Sequence, residues 1–226
     1  MLDRLKTLLG APSPGTSPAL APSSSSRRIV DAEPFRRQSN GLEQFFNGIR
    51  DRSSLNIIDF AGASQANVSF ITNMGHRISS ENFMASLEAA FGEHQFFENQ
   101  TNPQVVDGFL QESLNFPADH YDGALVWDSL QFLTPHLLQI TVDRLYDTLR
   151  PDSYLLAFFH ANEKAREIPM YHYRIHDHKT LMLTPRGFRA QAQFFNNRAL
   201  EKLFHRFQSV KFFLARDNLR EVIVRR

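Results

Sequence analysis

The chain has 226 residues, 42% hydrophobic and 22% charged, with a formal net charge of +1 at pH 7 and no cysteine. That composition belongs to a globular protein with one domain large enough to bury a core, and the charge lacks the basic excess of a dedicated nucleic-acid binder. The missing cysteines exclude disulfides, thiolate metal sites and a cysteine nucleophile, and no run approaches the roughly 20 apolar residues that span a bilayer.

Residues 1–10, MLDRLKTLLG, set Leu2, Leu5, Leu8 and Leu9 at helical spacing, a short amphipathic leader. Charges among its leucines distinguish it from a signal peptide, so we expect a soluble, cytoplasmic protein without stable membrane insertion. Residues 11–26, APSPGTSPALAPSSSS, have too little apolar surface to offset the entropy of ordering and read as a disordered tether. The domain proper is expected over residues 27–226.

Within it, Leu42 to Ile49 has helical periodicity and leads into an apolar strand, Leu55 to Phe60. The stretch IIDFAGASQ, residues 57–65, reads as a strand that ends in a tight turn and opens a helix, the setting of nucleotide-binding loops. The helix runs from Ser64 to Met74 and Gly75 is placed to end it. His76 to Glu81 is a second strand finishing in an acid, and Phe83 to Phe91 is an amphipathic helix. Val106 to Gln111 reads as a third strand. After the loop ESLNFPADHYDG comes a strongly apolar strand, Ala124 to Trp127, that stops at Asp128. Pro135 opens a helix and Pro151 closes it; Ser153 to His160 is the fifth strand. This alternation predicts an open, mostly parallel sheet covered by helices.

The last third changes rhythm. Tyr171 to Leu183 alternates like an exposed hairpin, Asn197 to Phe207 reads as a helix, and Val210 to Ala215 and Glu221 to Val224 form strands so closely linked that they must be antiparallel. His172, His176 and His178 share one face of the first hairpin strand, with no carboxylate or cysteine set to complete a metal shell. No metal site is expected. The 21 phenylalanines, many in adjacent pairs, are expected in the core.

The order of these pieces, IIDFAGASQ, HRISSEN, FLQESLNFPADHYDGALVWD, LRPDSYLLAFF and SVKFFLARDNLREVIVRR, resembles the class I S-adenosylmethionine-dependent methyltransferases from Leu42 to Arg226. The resemblance implies a Rossmann-like methyltransferase fold of seven strands with an antiparallel C-terminal hairpin. It implies S-adenosylmethionine as cofactor and methyl transfer to a small-molecule acceptor. Where such enzymes have Asp/Glu-x-Gly-x-Gly-x-Gly, this chain has Asp59, Ala61, Ala63 and Gln65, with Gly62 out of phase. Gly62 would then supply the turn's flexibility and Asn67 an amide to the ligand. Glu81, about 20 residues after the turn, stands where nucleotide folds place a carboxylate for the ribose hydroxyls; its other role would be capping the next helix. By the same resemblance Glu112 and Ser113 would line the adenine edge, and Trp127 would sit at the carboxyl end of the fourth strand beside Asp128, a candidate to orient substrate or accept a proton. Residues 161–195 would cover the site, with Tyr171, Tyr173 and His160 facing the acceptor. The lost glycines favour an alternative, a catalytically inactive domain of this fold that binds a ligand or a protein.

Overall fold

The structure, a computed structural model, describes residues 27, 28 and 32–226. The leader and the tether lie outside the described residues. In chain order the elements are β1 (Arg27–Arg28), β2 (Phe35–Gln38), α1 (Asn40–Ile49), β3 (Asn56–Asp59), α2 (Gln65–Asn73), β4 (Arg77–Ser80), α3 (Phe83–Phe91), α4 (Phe96–Asn99), α5 (Pro103–Ser113), β5 (Tyr121–Trp127), a 3-10 turn (Ser129–Phe132), α6 (Pro135–Thr148), β6 (Leu149–His160), β7 (Glu167–Asp177), β8 (Thr180–Ala190), α7 (Asn197–Leu203), β9 (Ser209–Leu214) and β10 (Leu219–Arg225).

The central sheet has six strands in the order β4-β3-β5-β6-β10-β9. The first four are parallel, whereas β10 lies antiparallel between β6 and β9. This is the Rossmann-like methyltransferase arrangement, with six strands where seven are expected. The expected third strand, Val106 to Gln111, is part of helix α5. Asn102 caps that helix by accepting from the Gln104 N–H, Pro103 fills its first turn, and Val106, Phe109 and Leu110 bury at helical spacing. These start signals and the i, i+3, i+4 pattern outweigh the local strand propensity of Val105-Val106.

Every residue of β5 is buried, as a central parallel strand requires. Gly123 is needed there, because a Cβ would lie 2.7 Å from the Phe45 ring that α1 packs on the strand. The paired phenylalanines Phe45, Phe46, Phe158 and Phe159 all enter the core.

A second, four-stranded antiparallel sheet is built on β8. It pairs with β7 along one edge and with β1 and β2 along the other. The alternation of Tyr171 to Leu183 marks only the middle of its β7-β8 hairpin; β1 and β2 are too short and polar to show alternation. The ribbon is not an exposed one: Tyr173, Ile175, Leu181 and Leu183 join the main core, while His172, Arg174 and His176 point to solvent. Its N-terminal edge is fastened to the central sheet by Arg37. The buried guanidinium pairs with Glu221 of β10 and, at 2.6 Å, with Asp217, while Glu221 also accepts from the Ser39 hydroxyl and the Gly41 N–H.

Candidate functional site

Strand β3 delivers Asp59 to the point where the chain departs toward β4 on one side and β5 on the other, the switch point at which ligands of open α/β sheets bind. The Asp59 carboxylate is fully buried and accepts from the Trp127 indole (2.6 Å), the Ala61 N–H (3.0 Å) and the Asn67 side-chain amide (2.7 Å). Burial raises its pKa, and the three N–H donors oppose that shift.

The turn that follows is built with one glycine. Gly62 takes φ +82°, in the left-handed region where glycine carries no Cβ penalty, and Gln65 simply begins α2 without positive φ. Ser64 caps that helix, accepting from the Asn67 N–H at 3.2 Å. The turn is fastened to the end of β4: Gly62 N–H donates to the Glu81 carbonyl, Glu81 N–H donates to the Asp59 carbonyl, and Ala61 forms a bridge with Asn82. The Glu81 side chain stays exposed at the rim. Capping of α3 falls to Asn82, which accepts from the Ala85 N–H, so Glu81 is not the cap.

At the end of β5, Trp127 has φ +56°, which turns the chain so that the indole reaches Asp59 and Asp128 is carried under the antiparallel sheet. Tyr173 stacks on the Trp127 ring, with centroids 5.0 Å apart and planes 12° from parallel. Asn67 completes the attachment. Its amide donates to the Tyr173 carbonyl and its oxygen accepts from the Ile175 N–H at 2.8 Å.

A crevice remains between the turn and this layer, lined by Phe60, Ala61, Asn82, Met84, Trp127, Asp128, Ser129, Tyr171, His172, Tyr173 and Arg186. Its cavity volume is about 20 Å³, room for one water molecule. Asp128 is 4% exposed, and its Oδ2 has no hydrogen-bond partner; neither does the Tyr173 hydroxyl nearby. Burial pushes the Asp128 carboxyl up to about 7, against the Arg186 charge and polar contacts from the hairpin. Arg186 itself pairs with Glu88 of α3 at 2.8 Å.

Of the residues singled out in the sequence, Asp59, Ala61, Gly62, Asn67, Trp127 and Asp128 therefore meet at one place, with Glu81 at its edge. Asn67 differs from expectation: its amide is buried and committed to Asp59 and β7, leaving nothing to offer a ligand. Ala63 points to solvent. Glu112 and Ser113 lie at the end of α5 and do not line the crevice, because the strand that would have carried them there is a helix. His160 ends β6 facing Leu219 of β10, also outside the lining. Met84 and Asn82 were missed; of the two only Asn82 had a sequence signal, an Asn ahead of an apolar helix.

No family model matches the sequence, and no curated protein does. Among solved structures the chain is similar to the 1,6-didemethyltoxoflavin-N1-methyltransferase of Burkholderia thailandensis, at 12% identity and TM-score 0.42, over 81% of this chain and 74% of that one. It is similar also to a TehB-like SAM-dependent methyltransferase of Corynebacterium glutamicum, at 9% identity and TM-score 0.43, over 82% and 87%. A third is the glycopeptide N-methyltransferase MtfA, at 11% identity and TM-score 0.41, over 82% and 90%. These are distant likenesses, and the fold assignment rests on the strand order itself. Among the described residues no helix is long and apolar enough to cross a membrane, and no histidine, cysteine and carboxylate cluster could hold a metal ion.

Proposed function

We propose that this domain binds S-adenosylmethionine at the carboxyl ends of β3, β4 and β5 and directs its methyl group to a small-molecule acceptor, with the antiparallel layer closing the site. The carrying observation is the convergence at the switch point of the Gly62 turn, the exposed Glu81 carboxylate and the buried Asp128 carboxyl. The residue types fit the cofactor. Glu81 would accept ribose hydroxyls, the main chain at Ala61 and Gly62 would face the ligand without a bulky side chain, and Asp128 would sit near the positive charge. The bound cofactor supplies an activated methyl group, so the protein's task is to align the acceptor and exclude water. A sheet packed over the strand ends suits that task and favours an acceptor small enough to enter beneath it. The absence of cysteine agrees with a cytoplasmic setting.

The space does not yet accommodate the cofactor. A cavity of about 20 Å³ is more than tenfold below the roughly 300–1,000 Å³ of small-molecule sites. Tyr173 and the Asn67 attachment must therefore draw back for binding to occur. That same observation favours a second reading, in which the filled crevice is permanent and the fold serves as a non-catalytic binding module. Titration with S-adenosylhomocysteine separates them. The first reading expects calorimetric heat and an upward shift in Tm; no response at millimolar ligand overturns it.

A further inference from the structure

Asp128 is the one carboxyl of the crevice without a full set of partners. Asp59, on the far side of Trp127, is held by three N–H donors, and Glu81 reaches solvent. The Asp128 Oδ2, by contrast, is buried beside a cavity of about 20 Å³ without a hydrogen bond of good geometry, and the polar groups that approach the carboxyl are the Tyr173 hydroxyl and the Tyr171 main chain. An ionised carboxylate in that position has only these contacts to offset its burial, whereas a carboxylic acid is neutral there. The charged and titratable groups facing it are Arg186, already engaged by Glu88, and Tyr171 and Tyr173 of β7, while the His172 side chain points to solvent. The nearest formal positive charge is thus shared, and His172 is held below its ordinary pKa by burial and then by Arg186 and Arg174, so it supplies little charge at neutral pH.

We propose that the closed crevice holds Asp128 as the neutral acid and that a cationic ligand head entering it displaces that proton to solvent, leaving the carboxylate as counter-charge. One O–H bond breaks, the proton passes to buffer, and no other bond changes. The inference rests on the cofactor reading above, because the sulfonium of S-adenosylmethionine is such a cation and S-adenosylhomocysteine is its uncharged counterpart at that atom.

Calorimetric titration of the full chain with both ligands, in buffers of different ionisation enthalpy at pH 6, counts the protons. About one proton is expected to leave per S-adenosylmethionine bound and markedly fewer with S-adenosylhomocysteine. Affinity for S-adenosylmethionine should rise about tenfold between pH 6 and pH 8 relative to Asp128→Asn, the comparison cancelling titration of the ligand. Should Asp128→Asn fail to fold, the proton count on the wild-type chain still decides. Binding without proton release at pH 6, or with release unchanged in Asp128→Asn, overturns the inference and leaves the cofactor reading intact. If neither ligand binds at any pH, both are overturned.

Discussion

Asn67 carries the attachment of the antiparallel layer, and replacing it with alanine measures that attachment. The side chain is fully buried and makes three hydrogen bonds, to Asp59 Oδ2, to the Tyr173 carbonyl and from the Ile175 N–H. Asn67→Ala removes the common partner of all three. The Ile175 N–H and the Tyr173 carbonyl lose a buried partner outside the strand ladder, and Asp59 keeps only the Trp127 and Ala61 donors. Each buried group left unsatisfied costs about 1–3 kcal/mol, and the effects share one cavity and so add incompletely. The expected loss is about 3–5 kcal/mol in urea-monitored unfolding, without change of the helix-capping contact from the Asn67 main chain to Ser64. A loss below about 1 kcal/mol would refute the reasoning, since water would then replace the amide at no cost and the layer would be held elsewhere.

Glu81→Ala should weaken binding of S-adenosylhomocysteine by about 1–3 kcal/mol in calorimetry, the range for hydrogen bonds to a charged group, with Tm unchanged; an unaltered affinity returns Glu81 to the solvated rim. Burial pushes the Asp128 carboxyl up to about 7 in the folded chain from the ordinary aspartate value of 3.8, so the folded state holds a proton that the unfolded chain releases between those values. Its contribution to stability is present below pH 4 and is lost as pH rises through 7, a decline of up to about 4 kcal/mol. The difference between wild type and Asp128→Asn across pH 4–8 should show this slope and level above 7, while parallel curves would contradict it. Arg37→Met leaves buried Glu221 without its cation and should cost about 3–5 kcal/mol by denaturant melts; an effect near zero would show that Ser39 and Gly41 suffice. Deleting residues 1–26 should move Tm by no more than about 2 °C, because that composition offers few core contacts, and a larger fall would place the leader on the domain.

The parallel half of the fold was legible because burial on both faces makes β5 and the second half of β6 read as apolar runs, and because Pro135 and Ser64 mark helix starts that local chemistry dictates. The error at Val106 arose where a β-branched pair sits inside a helical spacing that only the Asn102-Pro103 cap makes decisive. The site was partly legible for the same reason. Asp59, Gly62 and Asp128 fall at strand ends, where the chain order alone puts them together. What the layer does was hidden, since the alternation of Tyr171 to Leu183 fits an exposed ribbon as well as one with Tyr173 and Ile175 turned into the core. Only tertiary contact distinguishes those cases, and the polar partner that decides it, Asn67, lies more than 100 positions away in sequence.

Amide exchange on the full chain with and without S-adenosylhomocysteine tests most directly whether the crevice opens to the cofactor. The account predicts slowed exchange at Ala61 and Gly62, where ligand meets the turn, together with faster exchange at Ile175, whose N–H loses Asn67 when the layer draws back. Unchanged exchange at all three positions under saturating ligand would contradict it.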